Sequence, residues 1–279
     1  MTVREALASG RMILEEYEIE DASLEAEVLL REVLQKTRVE LFLELDSELT
    51  REEYAAFRRS IKRRCMDEPT AYILGRREFY GRNFLVDNRV LVPRPETELL
   101  VEKAVEFARD YDAPLLADVG TGCAAVAITL ALELPEAIVY ATDISGDALR
   151  VARKNCRKHG VSIRVYLLKG NLLAVLPQPV DIITANLPYV RESDLPLTGT
   201  VSNEPRLALD GGVDGLGRIR QLCRQAGDKL RPSGHMLLEI GQGQAEAVTM
   251  LLRSLFPGAK IEVLPDLSGI DRVVCLSLP

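Results

Sequence analysis

Two hydrophobic periods divide this chain. Up to about residue 75 the apolar positions recur every three or four residues, the spacing that lines one face of a helix. Tyr54, Phe57, Ile61 and Cys65 fall at i, i+3, i+7 and i+11, and Thr50-Arg51-Glu52-Glu53 places a capping box at the start of their helix. Leu24, Val28, Leu29, Val33 and Leu34 mark a second helix, with Asp21 and Ser23 as candidate N-caps. Helices this short are marginal alone, so residues 1–75 are expected to form a small all-α bundle.

The texture then changes. Glu78-Phe79-Tyr80-Gly81 and Asn83-Phe84-Leu85-Val86 are aromatic runs around a Gly turn, which predicts a β-hairpin linker over 76–92. Pro95 is placed to open a helix with Glu96 and Glu98 in its first turn, where carboxylates favour the positive dipole end. Beyond Leu115, apolar runs alternate with helical segments, and strands are expected at 115–118, 138–143, 163–168, 180–185, 234–240, 259–264 and 271–277. This is the pattern of an α/β domain over 93–279, a seven-stranded, doubly wound sheet covered on both faces. Only Pro265 to Ile270 separates the last two strands, too little for a crossover helix, so the last strand should be antiparallel.

Composition narrows the function classes. With 279 residues, 47% of them apolar, the chain has room for two domains with real cores. The net charge of −7 is uneven: residues 1–75 hold 17 acidic and 11 basic side chains. An acidic chain is a poor nucleic-acid binder, and the basic run Arg58, Arg59, Lys62, Arg63, Arg64 reads as a solvated helix face. Five scattered cysteines without a C-x-x-C pair read as free thiols in a reducing compartment, and two histidines are too few for a His-built metal centre, so no metal is expected. The opening Met1-Thr2-Val3-Arg4-Glu5 is no signal peptide. The longest apolar run, Cys123 to Leu132, falls short of the roughly 20 residues a bilayer demands. No membrane association is expected, and a soluble, cytoplasmic protein is.

Chemistry enters after the first strand of the sheet. Asp118-Val119-Gly120-Thr121-Gly122-Cys123-Ala124-Ala125 joins a strand to a helix, and Gly120 and Gly122 allow a tight turn and close approach to a ligand. Asp143 ends the next strand, where a carboxylate can accept both ribose hydroxyls. Gly120, Gly122 and Ala125 also satisfy the dinucleotide fingerprint, so this loop alone leaves S-adenosylmethionine and NAD both open. Asn186-Leu187-Pro188-Tyr189, after the apolar run Val180 to Ala185, decides between them. No hydride-transfer acid or base stands at a strand end. Instead, Pro188 keeps Leu187 extended with its carbonyl outward. The Asn186 side-chain oxygen and the Leu187 carbonyl form two acceptors for an NH2 group that gains positive charge on methylation. Tyr189 offers a plane on which a flat amide or exocyclic amine can lie.

These residues carry a resemblance. Pro93-Arg94-Pro95-Glu96-Thr97-Glu98, the loop from Asp118 to Ala124, Ala141 to Ser145, Asn186 to Tyr189, Glu204 to Gly212, and Glu239-Ile240-Gly241-Gln242-Gly243-Gln244 together resemble the bacterial peptide-chain release factor glutamine methyltransferases, over essentially the whole length. The resemblance implies an S-adenosylmethionine-dependent methyltransferase sheet behind a helical domain that docks the partner. The implied partner and substrate is a class-1 release factor, methylated on the N5 nitrogen of the glutamine in its Gly-Gly-Gln motif. It further implies cofactor contacts from Gly120, Thr121, Gly122, Cys123, Ala124, Asp143, Asn171, Leu172 and Asn186. The catalytic and substrate-binding set it implies is Asn186, Leu187, Pro188 and Tyr189. The chain departs from the family pattern at Leu187, usually Pro, whose side chain should matter little beside its carbonyl. At Ala124, usually Gly, the backbone is expected to avoid positive φ. Asn171-Leu172 stands for the usual Asp-Trp, which removes an aromatic wall. Asn-Leu-Pro-Tyr is also typical of ribosomal RNA adenine dimethyltransferases, so RNA adenine-N6 methylation is the alternative activity. Those enzymes are usually basic, with their helices after the catalytic domain. A binding module without catalysis would require the loop changes to abolish cofactor binding.

Overall fold

The computed structural model describes residues 1–279 and divides into two compact units, one of Met1–Arg76 with Leu197–Asn203, the other of Arg77–Pro196 with Glu204–Pro279. The first unit is helical: α1 (Val3–Glu16), α2 (Ala22–Leu34), α3 (Arg38–Leu43), α4 (Arg51–Arg64) and α5 (Thr70–Leu74). Thr2, Thr37 and Thr50 each close a capping box with the glutamate three residues on. These caps satisfy backbone donors that the first helical turn leaves unpaired. Leu14, Leu29, Leu30, Leu41, Phe57 and Ile61 form the core. Two expectations change here. Asp21 holds the N-cap position of α2 with φ 53° and no side-chain cap bond, and Ser23 lies inside the helix. In the basic run, Arg64 is buried, with its Nε 3.5 Å from Glu25, because its position on α4 turns inward while Arg58, Arg59 and Lys62 stay exposed.

A two-stranded hairpin, β1 (Arg76–Phe79) and β2 (Arg82–Leu85), turns at Tyr80-Gly81 with both φ positive, as a tight hairpin of matching twist requires. Phe79 and Phe84 pack edge to face. The main sheet then builds through α6 (Glu98–Ala108), β3 (Leu115–Val119), α7 (Ala125–Glu133), β4 (Ile138–Asp143), α8 (Gly146–Lys158), β5 (Val165–Lys169), β6 (Val180–Ala185), α9 (Gly217–Ala226), β7 (Leu230–Glu239), α10 (Ala245–Leu255), β8 (Lys260–Pro265) and β9 (Asp271–Ser277). Its order is β5-β4-β3-β6-β7-β9-β8. All pairs from β5 to β7 are parallel, and β9 inserts antiparallel between β7 and β8.

β7 begins four residues earlier than the sequence suggests. The pairing shifts register between Val180 and Ile182, and Ser233 within Arg231-Pro232-Ser233-Gly234 takes φ 57°. The irregularity accommodates Pro232 within a strand. One core packs α9 and α10 on the sheet through Ile219, Leu222, Val248 and Leu252 against Ile183, Met236, Leu238 and Val274. α6, α7 and α8 cover the opposite face. The chain changes direction between β3 and β6, and at such a switch point the carboxyl ends of parallel strands leave a crevice.

Candidate active site

Both motifs read from the sequence lie at that crevice. The parallel register sets Val119 opposite Ala185, so the residues that follow, Gly120 and Asn186, are neighbours. Gly120 has φ 75°, and a Cβ there would stand 3.0 Å from Leu187 Cδ2 and 3.5 Å from Asn186 O. Only glycine meets both demands without strain. Gly120 N and Thr121 N donate to Thr142 O at 2.9 and 3.0 Å, which ties the turn to β4. Thr121 Oγ1 donates to Asp118 Oδ2 at 2.6 Å. Burial pushes the Asp118 carboxyl up to about 6, against the hydrogen bonds from Thr121 and Thr184 that pull it down.

Asp143 closes β4 with its oxygens engaged by the Gly120 turn and by the start of α8. Oδ2 accepts from Gly122 N at 2.9 Å and Oδ1 from Ser145 N at 2.8 Å, while Ser145 Oγ caps α8 through Ala148 N. Burial raises the Asp143 carboxyl above its ordinary value; the N–H donors oppose it. Buried Asn155 on α8 secures the arrangement from behind, donating to Cys123 O and Leu85 O and accepting from Leu85 N.

Ala124 corrects the expectation that it avoids positive φ: it sits at φ 66°, ψ 29°, fully buried, immediately before α7. The turn geometry is imposed by β3, β4 and α7 together, and the alanine accepts the left-handed conformation. Leu187 corrects another. Its side chain is buried to 3% exposure in the main core and in contact range of Gly120, so it packs as well as presenting its carbonyl.

A cavity holding about 830 Å³ of empty space, part of it open to solvent, joins these pieces. Of the residues singled out in the sequence, Gly120, Gly122, Asp143, Asn171, Leu172, Asn186, Leu187 and Pro188 line it, and Thr121, Cys123, Ala124 and Tyr189 do not. Thr121, Cys123 and Ala124 belong to the Gly120 turn, and Tyr189 follows Pro188. Val90 and Leu91, outside every motif, and Ile144 and Leu207, present only as members of longer motifs, add apolar surface. Leu172, at φ 53°, gives an aliphatic wall where the family resemblance implied an aromatic one. Thr142 also lines the cavity, and its buried Oγ1 has no hydrogen-bond partner in the chain. A buried carboxylate, an orphaned hydroxyl and aliphatic walls in one crevice suit an organic ligand with polar groups, as a methyltransferase cofactor site requires.

The second half of the site is a chain of side chains. Asn186 Nδ2 donates to Thr97 Oγ1 at 3.0 Å, and Thr97 Oγ1 donates to Glu239 Oε2 at 2.6 Å. Tyr189 OH donates to Glu239 Oε1 at 3.4 Å. Asn186 Oδ1 and the Leu187 carbonyl are left without donors from the protein. Tyr189 is held from two sides: Gln244 Nε2 donates to its carbonyl at 2.9 Å, and a Cβ on Gly241 would stand 3.1 Å from its ring. Burial pushes the Glu239 carboxyl up to about 7, opposed by Thr97, Arg272 and Tyr189, and burial with the nearby Glu239 pushes the Tyr189 phenol up to about 12. Buried Glu204 accepts from Val92 N at 3.0 Å and pairs with Arg94, bracing the segment that leads into Thr97. Thr97, Glu239 and Glu204 appeared in the sequence only as members of longer motifs. The strand order could have found Glu239: Ala185 pairs with Leu238, so the next residues, Asn186 and Glu239, must be neighbours.

Comparison with known proteins agrees with this geometry. Residues 5–75 match the model of the PrmC N-terminal domain, and residues 96–201 match the methyltransferase small domain. The release factor glutamine methyltransferase of Moorella thermoacetica is 43% identical over 274 residues, covering 98% of this chain and 97% of that protein. Its namesake in Geobacter sulfurreducens is 42% identical over 277 residues, covering 98% and 95%. Among solved structures, a methyltransferase from Pyrococcus furiosus shares the fold with a TM-score of 0.53 at 17% identity, covering 71% of this chain and 90% of that one. No helix is long and apolar enough to cross a membrane, and no cluster of His, Cys, Asp and Glu could hold a metal ion. At this identity over nearly the full length of both chains, the protein belongs to the release factor glutamine methyltransferase family.

Proposed function

We propose that this chain methylates the side-chain amide nitrogen of the glutamine in the Gly-Gly-Gln motif of class-1 peptide-chain release factors, with S-adenosyl-L-methionine as donor. The observation that carries the reading is the pair of unpaired acceptors, Asn186 Oδ1 and the Leu187 carbonyl, set beside the Gly120 turn and the Asp143 carboxylate. When bound, the cofactor supplies an activated sulfonium methyl. The rest is orientation and charge. An amide nitrogen is a poor nucleophile because its lone pair is delocalised. As that nitrogen gains positive charge, two acceptors on its hydrogens stabilise the charge and turn the lone pair out of the amide plane. Asp143 would hold the ribose, with Gly120 and Gly122 giving the backbone room to approach. Pro188 keeps the Leu187 carbonyl aimed into the cavity. Tyr189, held through its hydroxyl by Glu239 and through its carbonyl by Gln244, offers the plane on which the amide lies. The helical unit over residues 1–75 is assigned the docking of the release factor.

The test is to incubate the protein with labelled S-adenosylmethionine and a purified release factor, then map the modified residue by mass spectrometry. Label on the Gly-Gly-Gln glutamine is the expected result. Label on adenine in a parallel incubation with ribosomal RNA, and none on the release factor, would defeat the assignment. Deleting residues 1–75 should weaken release-factor binding while leaving cofactor binding unchanged; equal release-factor affinity would remove the docking role.

A further inference from the structure

We infer that Thr97 and Glu239 are positioning residues that decide which end of the Asn186 carboxamide faces the substrate. The inference rests on the reading of Asn186 as an acceptor and deepens it. A carboxamide has two nearly isosteric ends, an acceptor oxygen and a donor nitrogen, and only the oxygen can receive an N–H from a substrate NH2. Pointed the wrong way, Asn186 would place its own N–H groups against those of the substrate. Nothing in the Asn186-Leu187-Pro188-Tyr189 motif prevents that.

The polarity is set from outside it. Thr97 Oγ1 carries one hydrogen and two lone pairs. Its hydrogen goes to Glu239 Oε2 at 2.6 Å, the short distance of a charge-assisted bond, with both residues buried. Thr97 can then meet Asn186 only as an acceptor, and Asn186 Nδ2 stands 3.0 Å away. Flipping the amide would set two acceptor oxygens against each other in a buried site. The direction of donation therefore runs from Asn186 to Thr97 to Glu239, and Oδ1 is left facing the cavity. Tyr189 OH, donating to the other Glu239 oxygen, holds the carboxylate in register.

The same chain makes orientation depend on the charge of Glu239. A protonated Glu239 can donate to Thr97, and Thr97 is then free to donate to Asn186 Oδ1, which reverses every bond in the chain. The groups facing Glu239 are Thr97 and Glu96 from the turn before α6, Tyr189 after β6, and Arg272 on β9. A glutamine side chain does not titrate, so it contributes no acid limb of its own.

The test uses the full-length enzyme with release factor and saturating S-adenosylmethionine. Thr97→Val keeps the shape and removes the hydroxyl; turnover should fall at least about tenfold while cofactor affinity, measured by calorimetry, is unchanged. Thr97→Ser should restore turnover to within about twofold of wild type. Wild-type kcat should decline as pH falls through about 7, and Glu239→Gln, whose amide oxygen still accepts from Thr97, should lose that decline. Thr97→Val turning over within twofold of wild type beside an inactive Asn186→Ala overturns the positioning role and leaves the Asn186 reading intact. An active Asn186→Ala overturns the reading beneath it. If Thr97→Val folds poorly, the pH profile still decides: an acid decline that persists unchanged in Glu239→Gln sinks the proposal.

Discussion

The two halves of the site are built from different materials. The cofactor half is made of backbone: a turn with φ 75° at Gly120 and 66° at Ala124, and N–H groups of Gly122 and Ser145 aimed at one carboxylate. The amide half is made of side chains relayed across the fold from Asn186 through Thr97 to Glu239, pairs separated by 89 and 142 positions. A backbone site tolerates side-chain change as long as the turn forms. A relay fails at whichever member is lost. The halves should therefore separate kinetically, with damage to one appearing in turnover and damage to the other in cofactor affinity.

The sharpest break is at Asn186. Asn186→Ala removes one of two acceptors from the charge that forms on the substrate nitrogen, and losses of this kind run to about 10²–10³ in kcat. Cofactor affinity should hold, because the Gly120 turn and Asp143 are untouched. Single-turnover rates with a release factor, alongside calorimetry with cofactor, check both statements. Wild-type turnover would remove Asn186 from the chemistry.

Asp143→Ala should produce the opposite signature. It withdraws a carboxylate acceptor from the ribose and leaves Gly122 N without its partner. Hydrogen bonds to charged groups contribute about 1.5–3 kcal/mol, so the cofactor Kd should rise roughly tenfold to a hundredfold. Turnover at saturating cofactor should change far less. A large kcat loss with unchanged Kd would erase the distinction between the halves.

The same contrast explains what could be read from the chain alone. The seven strands, the antiparallel finish and the Gly120–Asp143 pair are local patterns, written within a few residues of where they act. Asn186 and the Leu187 carbonyl are also local. Thr97 and Glu239 acquire meaning only when β7 lies beside β6 and the turn before α6 folds over both, so neither residue type nor spacing marked them. Tyr189 lies between these cases: its place in the motif is local, but the Gly241 and Gln244 contacts that hold it come from the far side of β7 in sequence. Arg64 and Ala124 were misjudged for one shared reason: tertiary packing overrode a local preference, burying a cation and holding an alanine left-handed.

Within the backbone half, two positions with nearly the same dihedral should respond unequally to a methyl group. Gly120→Ala adds a Cβ at φ 75° that stands 3.0 Å from buried Leu187 Cδ2. The left-handed conformation alone costs about 1–2 kcal/mol with a side chain. For a chain of this size each kcal/mol lowers Tm by about 2–4 °C, and displacing Leu187 adds to the loss. The reverse change, Ala124→Gly, relieves a similar conformational strain but empties a fully buried methyl site, worth about 0.8 kcal/mol. The strain term is the larger, so Ala124→Gly should stabilise by about 0.2–1.2 kcal/mol. Denaturant melts of the two variants beside wild type measure the difference. A stabilisation well above 1 kcal/mol in Ala124→Gly would mean the methyl packs against nothing. A loss of that size would mean the turn holds its shape without strain, and the backbone half would owe less to left-handed geometry than to the contacts its side chains make.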